Sequence, residues 1–481
     1  MTAATTAGSR KLWAALAVVM VGTVMVVLDT TIVNVALPQI ADALGAGEGI
    51  EWVVSAYLLA VAVSLPATGW IANRFGPKRV YLWSLGIFTL ASVLCALSPT
   101  LPLLVGARVL QGLGGGAMMP VAMTIVLRIF PKEQHGRALG AWGIAAMAAP
   151  AIGPTLGGWL VTSVDWHWLF LINLPIGVVA IAGAVRLLPD IPSSPVGRFD
   201  VVGFLTGSIG LAALVFGLSE ANKWGWTSPA TVLCISGGAL LLTLMVAHEL
   251  RTPAPMLDVR MFRNRTFSLT FAISGLVVAA QYARLVFLPI YLEGERGFSA
   301  LDIGLMLFPA GIVSAVAMHL GGALSDRIGP RGPIVAGTAI GASAVLCVAS
   351  FGLAQPLWVL ALLLSIQGFG MGLHTAPATV MAMNTLTDDL VSQGSAMRAL
   401  SAQVSGALAI AGLGAVLGAT LAADATPAEA RTAFDLIFYI CFVGLCGALG
   451  LALLLKREAV VHDPEHDEAE LRERPSFALI E

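Results

Sequence analysis

Asp29 lies in the run Leu28-Asp29-Thr30-Thr31-Ile32-Val33-Asn34-Val35-Ala36-Leu37-Pro38-Gln39-Ile40, inside an apolar stretch that begins after Arg10 and Lys11. It is the only carboxylate set deep in any apolar stretch of the chain. An ionisable group at such a depth costs about 2.5 kcal/mol or more and marks a functional site by default. The chemistry that suits it is reversible protonation. Burial favours the neutral acid, whereas a nearby guanidinium or a cationic substrate favours the carboxylate, so proton and substrate compete for one group. Two arginines could face it. Arg108 precedes Gln111-Gly112-Leu113-Gly114-Gly115-Gly116, and Arg284 lies in the run AAQYARLVF. Asp29, Arg108 and Arg284 are therefore the expected proton-coupling residues. A static ion pair of Asp29 with either arginine is the competing reading.

The elements that position these residues must cross a membrane. The 481 residues are 57% hydrophobic and 11% charged, with mean hydropathy +0.87, too few charges to coat soluble domains. The net charge of −2 and the absence of a basic block exclude a nucleic-acid partner. The five cysteines form no CxxC pair and read as small buried hydrophobes. Crossing a ~30 Å hydrocarbon layer takes about 20 apolar residues, and fourteen such stretches run from 12–37 to 433–455. The first is too long for the apolar core of a signal peptide and reads as a retained span. With the N-terminus inside, twenty of the 26 Lys and Arg fall on cytoplasmic segments, three outside and three within spans. That bias predicts both termini in the cytoplasm. Trp52, Trp166, Trp168, Trp224 and Trp226 gather at the predicted outer ends as an interfacial belt.

The chain repeats itself. GWIANRFGPKR (69–79) matches GALSDRIGPRG (322–332), and QGLGGG (111–116) matches QGFGMG (367–372), at offsets near 255. The reading is an all-α integral membrane fold of fourteen helices. An N-terminal six-helix bundle (1–189) and a C-terminal six-helix bundle (262–456) are joined by an inserted helix pair (190–261), and a charged cytoplasmic tail follows (457–481). Parallel repeats of this kind rock about a central site, which favours a transporter over an anchor or receptor. Adding the offset to Asp29 reaches Arg284, so opposite charges are expected at corresponding places in the two bundles. About 17 residues, or ~25 Å, separate Asp29 from the cytoplasmic end, in the outer part of the membrane.

The remaining motifs have mechanical readings. Gly69, Asn73, Arg74 and Gly76, repeated as Asp326, Arg327 and Gly329, read as cytoplasmic gating loops. The Gln111–Gly116 glycines sit mid-span with no strand before them, which excludes a dinucleotide loop and fits close helix contact. Gly143, Pro150, Gly153, Pro154, Gly157 and Gly158 form a bent packing element. Asn34, Tyr57, Gln111, Gln281, Tyr282 and His374 are candidates to line a substrate cavity, and His319 and His374 could relay protons. There is no HExxH, GxSxG or ATP-binding P-loop, so neither an enzyme nor a primary pump is expected, and no cofactor beyond the proton gradient is needed.

Together these motifs resemble the major facilitator superfamily, and within it the fourteen-span drug:proton antiporters of the QacA/EmrB type. The resemblance rests on Leu28–Pro38, on Gly69–Arg79, on Arg108 with Gln111-Gly112, on Gly143–Gly158, and on Trp166-His167-Trp168-Leu169-Phe170-Leu171-Ile172-Asn173-Leu174-Pro175. It implies a proton-coupled exporter of drugs or antibiotics in the cell membrane, acting as a monomer on small hydrophobic or charged organic substrates. An exporter of a native metabolite or lipid is the alternative. The chain departs from the family pattern at Asn73, where Asp is usual, and at His167, where Arg is common.

Overall fold

The computed structural model describes residues 2–46, 49–194, 196–352, 355–421 and 426–456; the charged tail expected at 457–481 lies outside them. Among these residues the regular structure is helical. The first bundle comprises α1 (Thr2–Leu44), α2 (Trp52–Phe75), α3 (Pro77–Ala96), α4 (Leu101–Ile129), α5 (His135–Ser163), α6 (Trp168–Leu171) and α7 (Asn173–Leu187). An antiparallel pair follows, α8 (Val201–Trp224) and α9 (Pro229–Glu249). The second bundle comprises α10 (Arg265–Gly294), α11 (Ala300–Ile328), α12 (Arg331–Cys347), α13 (Leu357–Met383), α14 (Val391–Thr420) and α15 (Pro427–Leu453). The helices are apolar on nearly every side because lipid surrounds them, and lipid leaves the backbone no partners but its own.

Thirteen helical stretches are long and apolar enough to cross a bilayer. The expected fourteenth falls on α5, 29 residues long, several of whose side chains lie outside the described residues. Among them are Pro150 and Pro154; helical backbone runs through both. The tryptophan belt needs one correction. Trp52, Trp168, Trp224 and Trp226 are exposed, but Trp166 is buried, stacked on His167 and edge-on to Phe170.

The two repeats of the loop motif build the same turn. Gly76 and Gly329 have φ of +88° and +85°, a region that costs glycine nothing and side chains dearly. Each turn ends a helix that leans on the opposite bundle. A side chain at Gly136 of α5 or Gly322 of α11 would strike the other's carbonyl oxygen, and a Cβ on Gly69 of α2 would lie 2.9 Å from the Gln393 backbone of α14. Around these contacts the apolar core is continuous through both bundles, joining Leu139 and Trp142 to Met318, Val380 and Met383. At the other end the core divides into one cluster per bundle. Among the described residues, every side-chain hydrogen bond between the two bundles lies at the loop-motif end.

Candidate functional site

The centre of the first bundle is a polar network sealed from solvent. Asp29 of α1 is 0% exposed and Arg108 of α4 is 1% exposed. Arg108 Nη1 donates to Asp29 Oδ2 at 2.7 Å and to Gln111 Oε1 at 2.5 Å. Gln111 Nε2 donates to Asp29 Oδ1 at 2.9 Å and to Ser92 Oγ at 2.8 Å. Asn173 Nδ2, from the start of α7, donates to Asp29 Oδ1 at 3.0 Å. Each carboxylate oxygen is thus matched by a donor, which is what allows a charge to stay at this depth.

Local sequence seats the arginine. Glycines 112 and 114 bring α4 hard against α2 and α3: a Cβ at Gly112 would lie 2.5 Å from Tyr57 O, and one at Gly114 2.9 Å from Phe88 N. At that spacing Arg108 Nε reaches the Val53 carbonyl at 2.9 Å, and the guanidinium lies 4.1 Å from the centre of the Tyr57 ring, a favourable stacking on the ring's negative face. Arg108 is seven residues from the start of α4, about 10 Å along the axis, toward the end of the bundle away from the loop motif.

Of the two arginines proposed for Asp29, the structure pairs it with Arg108. Arg284 belongs to α10 in the other bundle and takes no part in the network. Asp29 is accordingly enclosed by α1, α3, α4 and α7 rather than exposed on a cavity wall. The expected lining residues divide. Gln111 joins the Asp29 network, and Tyr57 supports the arginine. Gln281 and His374 line a small cavity inside the second bundle, with Arg284. Asn34 is exposed, away from both. Tyr282 faces α14, its ring packed against Gly406. Sequence reasoning did not assign Ser92 or Asn173; the only signal was Asn173's place in the Leu171–Pro175 ending.

The loops expected to gate also separate. Asn73 Nδ2 donates to the Asp389 carbonyl at 2.7 Å, and Arg128 Nη2 donates to Asn73 Oδ1 at 2.9 Å and to the Asp388 carbonyl at 2.8 Å. Asp326 accepts from the backbone N–H groups of Gly136 and Arg137, both at 2.8 Å, at the start of α5. Such a carboxylate matches the positive end of the helix dipole. Asn73 thus enters its clasp as a neutral amide where a carboxylate is usual, and the charge in that clasp is Arg128's. Arg74 and Arg327 are exposed and touch neither clasp. His167 pairs with Asp165 at 2.6 Å on the surface, and that bond holds the Asp165 carboxyl below the usual carboxylate range.

The packing motif of α5 serves two partners. Gly143 lies against the Met318 side chain of the opposite bundle, whereas Gly153 and Gly157 admit Thr31 and Ile32 of α1, within two or three residues of Asp29.

Residues 19–410 match the family profile described as Major Facilitator Superfamily. The chain is 34% identical over 443 residues to a putative multidrug resistance protein, MdtD, of Cronobacter sakazakii, covering 91% of this chain and 92% of that one. It is 33% identical over 400 residues to the multidrug resistance protein B homolog of Mycobacterium tuberculosis, covering 82% of this chain and 74% of that one. Among solved structures it superposes on the human organic anion transporter MFSD10 with a TM-score of 0.62 at 17% identity, covering 90% of this chain and 99% of the other.

Proposed function

The chain belongs to the major facilitator superfamily, and from that premise we propose that it is a proton-coupled exporter of small organic molecules. It works by alternating access in the plasma membrane, with fourteen spans and both termini in the cytoplasm. The bias of Lys and Arg toward one side supports this orientation. In it, the loop-motif end is cytoplasmic, so the joined core and cross-bundle clasps there describe an exporter closed inward. Relatives that carry the name of multidrug resistance proteins favour a drug or antibiotic cargo.

The observation that carries proton coupling is the Asp29–Arg108 pair, buried and fully matched within the first bundle. A proton arriving on Asp29 removes the charge that holds Arg108 Nη1. The guanidinium keeps its anchors on Val53 and Tyr57, so α1 rather than α4 is the element set free. Because α1 bears on Gly153 and Gly157 of α5, and α5 bears on α11 through Gly136, Gly140 and Gly143, release of α1 reaches the seam between the bundles along one helix.

The test is export of a dye into everted vesicles under an imposed pH gradient. Asp29→Asn is expected to abolish gradient-driven export, and Asp29→Glu to retain part of it. Full gradient-driven export by Asp29→Asn would sink the proposal.

A further inference from the structure

The two bundles answer each other residue by residue at their centres, and one of the two centres lacks a counter-charge. Arg284 stands 255 positions after Asp29, and Gln367 stands 256 positions after Gln111. In the first bundle the charge at this place is met by an arginine and two amides. In the second, Arg284, Gln281, Gln367, Thr338 and His374 surround a cavity of about 20 Å³ with no Asp or Glu in its lining, room for one small polar group. Two buried nitrogens at this cavity lack partners, Arg284 Nε and His374 Nε2, while His374 Nδ1 contacts Thr338 Oγ1 at 3.2 Å. Among the described residues no hydrogen bond or ion pair reaches Arg284 or Arg398. Arg398, on α14, lies within electrostatic range of His374. A guanidinium within a membrane span needs an anion or water, and water cannot neutralise two of them. Asp29 is already committed to Arg108.

We propose that this cavity seats the anionic head group of the exported molecule, a carboxylate held by Arg284 with the amides of Gln281 and Gln367. The body of the molecule then leaves the cavity along α13, a lining helix that also packs against α5 of the first bundle. The cargo is therefore an organic anion rather than a cation, and Arg398 adds long-range attraction. This rests on the export reading for its direction, but binding can be measured without it.

The experiment uses the full chain in lipid nanodiscs, with no pH gradient, and two matched fluorescent probes. In 6-(dansylamino)hexanoate and dansylcadaverine the fluorophore and tether are the same, and a carboxylate in one replaces an ammonium in the other. The wild type is expected to bind the carboxylate probe more tightly. Arg284→Gln should weaken that probe by about tenfold or more, as loss of a buried charge partner does, Arg284→Lys by less, and Arg398→Gln by about threefold. Neither glutamine variant should weaken the ammonium probe. Tighter binding of the ammonium probe by the wild type, no saturable binding of the carboxylate probe, or unchanged carboxylate affinity in Arg284→Gln would each overturn the assignment. Replacing gluconate by chloride in the buffer separates cargo from a resident ion. Loss of carboxylate binding at millimolar chloride would mark the cavity as a chloride site and also overturn it. Carboxylate binding that persists where Asp29→Asn exports normally would count against proton coupling and leave the anion site standing.

Discussion

Asn73 and Asp326 stand 253 positions apart, at corresponding places in the two repeats, and each grips the opposite bundle by different chemistry. Asn73 donates to a carbonyl before α14, while Asp326 accepts from two N–H groups at the start of α5. Charge-assisted bonds are roughly twice as strong as neutral ones, so Asp326 contributes more to its clasp than Asn73 does to the one it shares with Arg128. Asp326→Ala is expected to weaken the closed end by about 1–2 kcal/mol and Asn73→Ala by about 1 kcal/mol. Spin labels at the exposed twin positions Arg74 and Arg327 would read this as a larger long-distance population in the first variant than in the second.

Steric contact at the same end makes a sharper prediction. Gly136 and Gly322 touch backbone to backbone, so Gly322→Val has no flexible neighbour to push aside. It is expected to hold this end open, with the same labels reporting almost no closed population and gradient-driven export lost while the protein still reaches the membrane. Gly106→Ala, where the added carbon meets open space, should change neither reading.

The Asp29 network predicts an asymmetry in stability. Arg108→Gln strands a carboxylate at 0% exposure and is expected to cost about 3–5 kcal/mol. Adding Asp29→Asn removes the stranded charge and should recover most of the loss. Thermal unfolding of the purified proteins in detergent checks the order, Arg108→Gln being the least stable and the double variant near the wild type.

Close packing near Asp29 can be probed separately. Gly153→Val would collide with the Thr31 side chain, pressing α1 out of place by a turn's width from the acid. Export should fall at least tenfold while the clasps at the other end, remote from this contact, keep the Arg74–Arg327 distance of the closed state.

What could be read in the sequence follows from what lipid enforces. Span length, the repeat and the oddity of Asp29 are visible because a bilayer admits few polar groups and each stands out. The partner of Asp29 was not visible, since choosing Arg108 over Arg284 needs the rotation of three helices and the close approach allowed by Gly112 and Gly114. Corresponding position in a repeat indicates the same depth in different bundles, and depth alone does not produce contact. Asn173 and Ser92 escaped for a related reason: polar residues near helix ends are common, and only the fold turns these two inward. The glycines of α5 were legible as packing positions, but their division between α11 and α1 depends on which face each presents. By residue type Trp166 suits an interfacial anchor, yet packing edge-on to Phe170 of the short α6 tucks it inward.

The inserted pair gives the molecule a front and a back. α8 packs against both α2 and α14, and Ser208 Oγ donates to the Val63 carbonyl at 2.8 Å. The helix lies along one of the two grooves where the bundles meet. Among the described residues nothing comparable covers the groove between α5 and α11. A pair of bundles related by near two-fold likeness would offer lipid-dissolved molecules two equivalent side doors. Here α8 covers one of them, so a molecule entering sideways from the bilayer would have a single approach, beside α5, whose glycines run from Gly136 at the loop-motif end to Gly157 against α1.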